Sequence, residues 1–194
     1  MQKGNLIVLS GPAGVGKGTI AKGILEQDEN VCLSVSATTR NPRPIDIDGV
    51  TYHFKTKDEF SEMIKNDALL EWAVYSDNFY GTPKEPVFEA LKNGKDVILE
   101  IEVQGSLQIR AHHPEAVFVF IMPPSIEELE RRLTDRGTET SDEIEKRMAT
   151  AKKELEYLNK YNYIIVNEDI ETATADLKAI IRSAKLTKEQ YFNR

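Results

Sequence analysis

Short apolar segments alternate with longer amphipathic segments along the whole chain. Strands are predicted in the uninterrupted apolar runs 6–9, 97–99, 117–121 and 163–166, which are typical of strands buried on both faces. Helical spacing of apolar positions predicts helices over 17–28, 84–93, 104–112, 125–135, 141–160 and 170–185. Strands that alternate with helices require crossover connections, so the pattern indicates an α/β protein with a mostly parallel sheet and helices on both faces.

Capping chemistry supports several of these helix starts. Thr56 with Glu59, and Ser125 with Glu128, have the spacing of a capping box, in which each side chain satisfies an unpaired backbone N–H. Pro123 and Pro124 lie just before Ser125 and lack the N–H donors that would continue a strand. We therefore expect a strand to end there and a helix to follow.

Two segments depart from the alternation. Residues 36–82 combine a proline-rich turn at 41–44, a helical stretch and several short strand-like pieces rich in aromatic residues. Residues 131–147 concentrate four arginines around Gly137. Because neither segment fits the sheet pattern, we expect both to be insertions that project from it. No repeat or linker-like tract separates independent domains.

Composition narrows the class further. A chain of 194 residues, 40% hydrophobic and 29% charged, fits one globular domain and excludes a disordered chain. The net charge of −7 argues against a nucleic-acid partner, which usually requires a basic face. The longest apolar run, 116–122, is far too short to cross a membrane. With a single cysteine and no signal-peptide pattern, the sequence predicts a cytoplasmic protein without a membrane partner.

A glycine-rich loop lies between the first strand and the first helix. Gly11, Gly16 and Lys17 match the spacing G-x-x-x-x-G-K of a phosphate-binding P-loop. The glycines allow backbone N–H groups to converge, the helix N-terminus adds positive potential, and the lysine supplies a cation. We therefore predict that nucleotide phosphates bind to Gly11, Pro12, Ala13, Gly14, Val15, Gly16, Lys17, Gly18 and Thr19.

The position after Lys17 departs from the strict motif, which has Ser or Thr there to contact a metal ion. Gly18 occupies it and Thr19 follows. We therefore expect that the Thr19 hydroxyl contacts the metal ion, or that the protein holds the ion through a water molecule.

From the P-loop onwards, the chain resembles the guanylate kinases. In family order it carries 34–43 (SVSATTRNPR), 49–54 (GVTYHF), 71–73 (EWA), 80–82 (YGT), 99–105 (LEIEVQG), 123–125 (PPS), 132–139 (RLTDRGTE) and 165–167 (IVN). This series covers nearly the whole chain and is specific as a set. It departs from the family at Glu102, where Asp is common, and at Ile45–Asp46, where a Gly–Glu pair is common.

The resemblance implies a P-loop NTPase fold of three layers with a five-stranded parallel core sheet. It assigns about 1–35, 85–124 and 148–194 to the core, about 36–84 to a GMP-binding insertion and about 125–147 to a lid. The implied reaction is the phosphorylation of GMP, and of dGMP, by ATP with Mg²⁺.

The resemblance also implies roles for individual residues. Arg40, Arg43, Tyr52 and Tyr80 are expected to hold the GMP phosphate, for which guanidinium forks and phenols are suitable donors. Guanine recognition falls to Glu71, Ser36 and Thr82. Glu100 and Glu102 alternate along one strand and therefore share a face, and both are expected in the GMP site. Glu102 is expected to contact the guanine or ribose and the water molecules around Mg²⁺.

Catalysis is expected to depend on cations around the transferred phosphoryl group, because phosphoryl transfer requires positioning and charge stabilisation. The candidates are Lys17 and the lid arginines Arg132, Arg136 and Arg147. Asn167 is expected near the adenine of ATP. Two alternatives stay open: a kinase of the same scaffold that acts on another phosphorylated acceptor, and a non-catalytic guanylate-kinase-like module that binds proteins.

Overall fold

The computed structural model describes residues 3–75, 77–135, 140–188 and 190. The strands are β1 (Leu6–Ser10), β2 (Val31–Leu33), β3 (Ala37–Thr38), β4 (His53–Phe54), β5 (Leu69–Tyr75), β6 (Asn78–Pro83), β7 (Asp96–Glu100), β8 (Val117–Met122) and β9 (Tyr163–Val166). The α-helices are α1 (Lys17–Leu25), α2 (Lys57–Lys65), α3 (Lys84–Lys92), α4 (Val103–His112), α5 (Ile126–Asp135), α6 (Ser141–Glu154) and α7 (Ile170–Ala184).

The core is a five-stranded parallel sheet in the order β2-β7-β1-β8-β9. All four apolar runs predicted as strands belong to it, and the short edge strand β2 completes it. The predicted α/β fold with a five-stranded parallel core sheet is therefore confirmed. Since the carboxyl ends of parallel strands meet at one edge, the loops after β1 and β7 lie close together.

Helices cover both faces of this sheet, as the uninterrupted apolar runs require. Ile7 and Leu9 of β1 face a core shared with α1 and α7, whereas Leu6 and Val8 face a second core shared with α3 and α4. Alternate residues of one strand thus enter different cores, which is why β1 is buried at every position.

The insertion after β2 forms a second, smaller sheet in the order β4-β3-β6-β5. Strands β5 and β6 pair antiparallel, and β3 joins β6. Helix α2 covers this sheet with Phe60, which is fully buried against Ala37 and Leu69. The insertion predicted from the broken alternation therefore has its own hydrophobic core.

Helices α5 and α6 carry the arginine-rich segment and share a third core, formed by Leu129, Leu133, Met148 and Ala151. The helix predicted over 141–160 is wrong in its last part, because α6 ends at Glu154 and a 3₁₀ helix, Leu155–Lys160, follows. Helix α6 runs without a break across the predicted boundary between lid and core at residue 147. The proposed subdomain limits stay predictions.

Helix starts in the two insertions are satisfied by side chains. Thr56 and Thr140 each form a complete capping box, with Glu59 and Glu143. Ser125 accepts the backbone N–H of Glu128, which is one half of the predicted capping box, whereas the Glu128 carboxylate accepts from Arg131 and Arg132. Helices α1 and α4 have neither a side-chain hydrogen bond at the N-cap nor an acidic residue in the first turn. At the start of α1, which follows the glycine-rich loop, the backbone donors are left for another acceptor. In the described ranges, no helix combines the length and apolar character that a membrane crossing requires.

We predict that Phe60→Ala lowers the free energy of unfolding by about 3–5 kcal/mol, because it opens a cavity in the centre of the small core. Urea unfolding followed by circular dichroism measures this change. Phe88→Ala is the matched control, since Phe88 is 38% exposed on α3. Equal losses for the two variants would contradict the assignment of Phe60 as the anchor of α2.

Candidate active site

The P-loop follows β1 and leads directly into α1. Gly14 and Gly16 adopt positive φ angles of 90° and 98°, which favour glycine. A side chain at Gly11 would collide with the carbonyl oxygen of Ile121 at 2.3 Å. Backbone geometry and close packing therefore explain the glycines, and the uncapped N-terminus of α1 lies at the end of the loop.

Lys17 is buried, and its ammonium group donates to the carbonyl oxygens of Gly11 at 2.5 Å and Pro12 at 3.1 Å. A buried cation needs such partners, because burial in a low-dielectric environment disfavours charge. The positive charge is thus held within the P-loop.

Asn167 holds this loop from the end of β9. Its side-chain amide donates to the carbonyl of Val15 at 2.8 Å, and its own backbone carbonyl accepts from Arg132 at 3.0 Å. Arg132 also donates to Glu128 at 2.8 Å. Asn167 therefore joins the P-loop to helix α5. The contact with adenine expected for Asn167 stays a prediction.

A cleft of about 590 Å³ lies between the P-loop, the end of β7 and the small sheet. Most of the predicted site residues line it. These are Ala13, Gly14, Gly16, Lys17, Gly18, Thr19, Ser36, Tyr52, Glu71, Tyr80, Glu100, Glu102 and Arg147. The cleft thus unites the phosphate-binding loop with the residues expected to bind GMP.

Glu71 is the most deeply buried acidic residue predicted for this site, with 5% of its surface exposed. Thr82 donates to its Oε1 at 2.6 Å, so the two residues predicted for guanine recognition form one unit. Burial raises the pKa of Glu71 to about 7, and the hydrogen bonds from Thr82 oppose this effect. The nearby charge of Glu102 raises it further.

Helix α4 approaches Glu71 through Gly105. A Cβ atom at Gly105 would lie 2.3 Å from Oε2 of Glu71, far inside van der Waals contact. Sequence reasoning did not assign Gly105 a role, although the QG pair was part of the family series. Because Gly105 has no side chain, the carboxylate of Glu71 has room beside helix α4.

Glu100 lies at the end of β7 and faces Lys17. Burial raises the pKa of its carboxyl group, the charge of Lys17 lowers it, and the charge of Glu102 raises it. Glu102 directly precedes α4 and also lines the cleft. Both acids therefore line the cleft, but the prediction that they alternate along one strand is wrong, because β7 ends at Glu100 and Glu102 is the N-cap of α4.

Arg40, in the insertion after β2, forms an ion pair with Asp46 that the sequence did not predict. Its Nη1 donates to Asp46 at 2.9 Å, and its guanidinium lies 5.3 Å from the ring centre of Tyr52. Asp46 also accepts the backbone N–H of Arg43 at 2.6 Å. The hydrogen bond to Asp46 raises the pKa of Arg40. Asp46 thus fixes the turn that carries both predicted phosphate ligands.

Arg40 and Arg43 are not among the residues that line the cleft, although Tyr52 and Tyr80 beside them are, with ring centres 6.0 Å apart. Arg147 of α6 lines the cleft. Arg136, with Gly137–Glu139, lies outside the described residues. Of the predicted lid arginines, Arg147 therefore lines the cleft, and Arg132 contacts Asn167, the residue that holds the P-loop.

A family model for guanylate kinases matches residues 3–184 of this chain. The chain belongs to the guanylate kinase family. A guanylate kinase of Halalkalibacterium halodurans is 51% identical over 189 residues, covering 97% of this chain and 93% of the relative. The guanylate kinase of Bacillus subtilis is 50% identical over 190 residues, with 97% and 93% covered.

A crystal structure of guanylate kinase from Anaplasma phagocytophilum superposes with a TM-score of 0.80. It is 33% identical, and the match covers 96% of this chain and 89% of that one. A shikimate kinase structure from Bacteroides thetaiotaomicron, 17% identical with a TM-score of 0.50, shares the fold alone. These similarities confirm the predicted family, the fold and an enzyme that phosphorylates GMP to GDP with ATP.

We predict that Gly105→Ala raises the KM for GMP about 10-fold or more, because the new methyl group displaces the carboxylate of Glu71 and small displacements in a binding site are costly. The KM for ATP should change less than about twofold. Steady-state kinetics with each substrate varied in turn measures both.

Gln104→Ala, an exposed position on the same helix, is the control and should leave both constants unchanged. An unchanged KM for GMP in Gly105→Ala would show that the carboxylate of Glu71 does not need this space.

Proposed function

We propose that ATP binds at the P-loop, that GMP binds between β7 and the small sheet, and that the γ-phosphoryl group passes in line between them. The observation that carries this assignment is that Glu71, which is buried and accepts a hydrogen bond from Thr82, lines the same cleft as Lys17. A carboxylate for the acceptor base and an ammonium for the donor phosphates thus face one cavity.

Glu71 is proposed to select guanine. Guanine offers two adjacent donors, N1–H and the N2 amine, and one carboxylate accepts from both. Adenine has an acceptor at N1 and lacks the N2 amine, so the buried carboxylate would face a lone pair. A site built to hydrogen-bond its substrate rejects an analogue without those donors by about 10⁴-fold. Ser36 also lines the cleft and is proposed to take part in guanine recognition.

Arg40, Arg43, Tyr52 and Tyr80 are proposed to hold the phosphate of GMP. Asp46 engages one nitrogen of Arg40, and a guanidinium has further N–H donors for a phosphate. The insertion thus carries the proposed phosphate ligands together with Glu71, and Tyr52, Tyr80 and Glu71 line the cleft.

The P-loop amides and Lys17 are proposed to hold the phosphates of ATP, and Arg132, Arg136 and Arg147 to stabilise charge on the transferred group. Because α5 and α6 have their own core, the helix pair is proposed to move as a lid that excludes water. The phosphate of GMP is already an ionised nucleophile near neutral pH, so no general base is required.

Mg²⁺ fits this donor set as a partner of ATP. In the described part of the chain, no group of three His, Cys, Asp or Glu side chains could hold a metal ion by itself. Mg²⁺ characteristically binds substrate phosphates with few protein ligands. Thr19, exposed on the first turn of α1, is the residue proposed to contact it, directly or through water. Bound Mg²⁺ would neutralise the charge of the donor phosphates.

An ADP-release assay with ATP and Mg²⁺ against GMP, dGMP, AMP, CMP and UMP tests the proposal. Turnover is expected with GMP and dGMP only. Lys17→Ala should lower kcat by about 10³-fold or more, since it removes a cation from the transferring phosphates. Lys22→Ala is the matched control, because the Lys22 side chain is 77% exposed on α1. Equal turnover of AMP would contradict the guanine site.

The protonation of Glu71 predicts a pH dependence for GMP binding. With a pKa of about 7, the side chain is largely neutral at pH 6 and ionised at pH 8. Since the ionised form accepts the guanine donors, the affinity for GMP should rise about 10-fold between these pH values. Isothermal titration calorimetry at both values measures it.

Glu71→Gln is the control for the titration of the GMP phosphate itself, whose second pKa of about 6 falls in the same range. This variant should bind GMP more weakly and retain only the part of the pH dependence that the phosphate supplies. A wild-type pH dependence identical to that of Glu71→Gln would refute the titration of Glu71.

A further inference from the structure

Gln108 of helix α4 holds the backbone of the residue that follows Glu71. Its side-chain oxygen accepts the backbone N–H of Trp72 at 3.2 Å, and its side-chain NH₂ group donates to the carbonyl oxygen of Trp72 at 2.7 Å. One side chain thus engages both backbone polar groups of a single strand residue. A primary amide suits this pairing, because it carries a donor and an acceptor side by side.

The strand that Gln108 holds is an edge strand. Strand β5 is the last strand in the order of the small sheet and pairs with β6. At Trp72 the amide of Gln108 forms the hydrogen bonds that a further strand would form. Successive residues of a strand point to opposite faces, and Trp72 is 37% exposed whereas Glu71 is 5% exposed. Fixing the backbone at Trp72 therefore also fixes the direction in which Glu71 points.

The same helix also shapes the space around the carboxylate of Glu71. Gly105 and Gln108 are three residues apart, so they lie on one face of α4. Gly105 leaves room for the carboxylate, and Gln108 binds the next residue of β5. A displacement of β5 along α4 would therefore move the carboxylate away from the space beside Gly105.

We propose that Gln108 is a positioning residue for guanine selection, which fixes β5 against α4 and thereby sets the position of the Glu71 carboxylate. This inference rests on the proposed function, in which Glu71 accepts the donors of guanine. Gln108 itself is not among the described residues that line the cleft. Its effect on GMP is therefore exerted through Glu71.

Two substitutions remove the paired hydrogen bonds and keep the length of the side chain. Gln108→Met offers no donor and only a weak acceptor, whereas Gln108→Glu turns a carboxylate towards the carbonyl oxygen of Trp72. In the ADP-release assay at pH 8, both variants should lower kcat/KM for GMP about 5-fold or more, chiefly through KM, because small displacements in a binding site are costly. The KM for ATP should stay within about twofold of wild type.

Gln104→Met is the matched control, because it makes the same substitution at an exposed position of the same helix. It should leave the KM for GMP and the KM for ATP unchanged. A wild-type kcat/KM for GMP in Gln108→Met would overturn the proposal. So would an equal rise in KM for GMP and ATP, since a folding defect affects both sites.

A double-mutant cycle with Glu71→Ala tests the route of the effect. Because Gln108 is proposed to act through the carboxylate, Gln108→Met should change kcat/KM for GMP by less than about twofold once that carboxylate is removed. A full additional loss in the double variant would also overturn the proposal, because Gln108 would then support GMP binding independently of Glu71.

The wild-type protein in the same assay separates the two levels of the proposal. Wild type that phosphorylates GMP, together with an unaffected Gln108→Met, would refute the role of Gln108 alone. Wild type that fails to phosphorylate GMP would refute the proposed function and this inference together.

Discussion

The site depends on one buried cation among several carboxyl groups. Lys17 is the only Lys or Arg that is buried in the part of the chain that the structure describes, and it acts electrostatically on Glu100 and Glu154. Burial raises the pKa of Glu71, Glu100 and Glu154. Such a cluster is stable only when protons or donors compensate it. The base donors of a nucleotide, a divalent cation and the lid arginines are all suited to complete this balance.

The structure consists of a core sheet and two attached units, which are the small sheet and the α5–α6 pair. The core sheet is buried on both faces and fixes the P-loop and the end of β7. The small sheet and the α5–α6 pair each have a hydrophobic core of their own, so each keeps its internal geometry independently of the other. Asn167 provides the polar contact by which the P-loop meets the helix pair, since it donates to the carbonyl of Val15 and accepts from Arg132.

The core sheet and the P-loop were predictable because their signals are local. Uninterrupted apolar runs identify buried strands, and G-x-x-x-x-G-K between strand and helix identifies a phosphate loop. Glu71 could be named only from the family resemblance, since a single glutamate beside Trp72 has no distinctive pattern. Its contact with Thr82 and the close approach of Gly105 arise from tertiary packing between β5, β6 and α4.

Asp46 was missed for a related reason. It is one acidic residue in a polar stretch, and only the fold shows that Arg40 is its partner. The predicted end of α6 lies six residues beyond the observed end at Glu154. The helical pattern of charged and apolar residues continues through Leu155–Lys160, but the backbone there forms a 3₁₀ helix. Helix boundaries depend on such local changes more than the existence of the helix does.

The start of helix α1 couples ligand binding to the stability of the fold. Helices α2, α6 and α7 are capped by side chains of the protein, whereas α1 begins at Gly16 without one. An anion bound at this point would serve as the cap, because it would accept the amide hydrogens and interact favourably with the helix dipole. Helix α1 packs in the main core through Ile20 and Ile24, so this capping extends to the centre of the protein. A nucleotide phosphate bound at this end, as proposed, would therefore stabilise the whole fold, and the thermal stability of the chain would rise with nucleotide concentration.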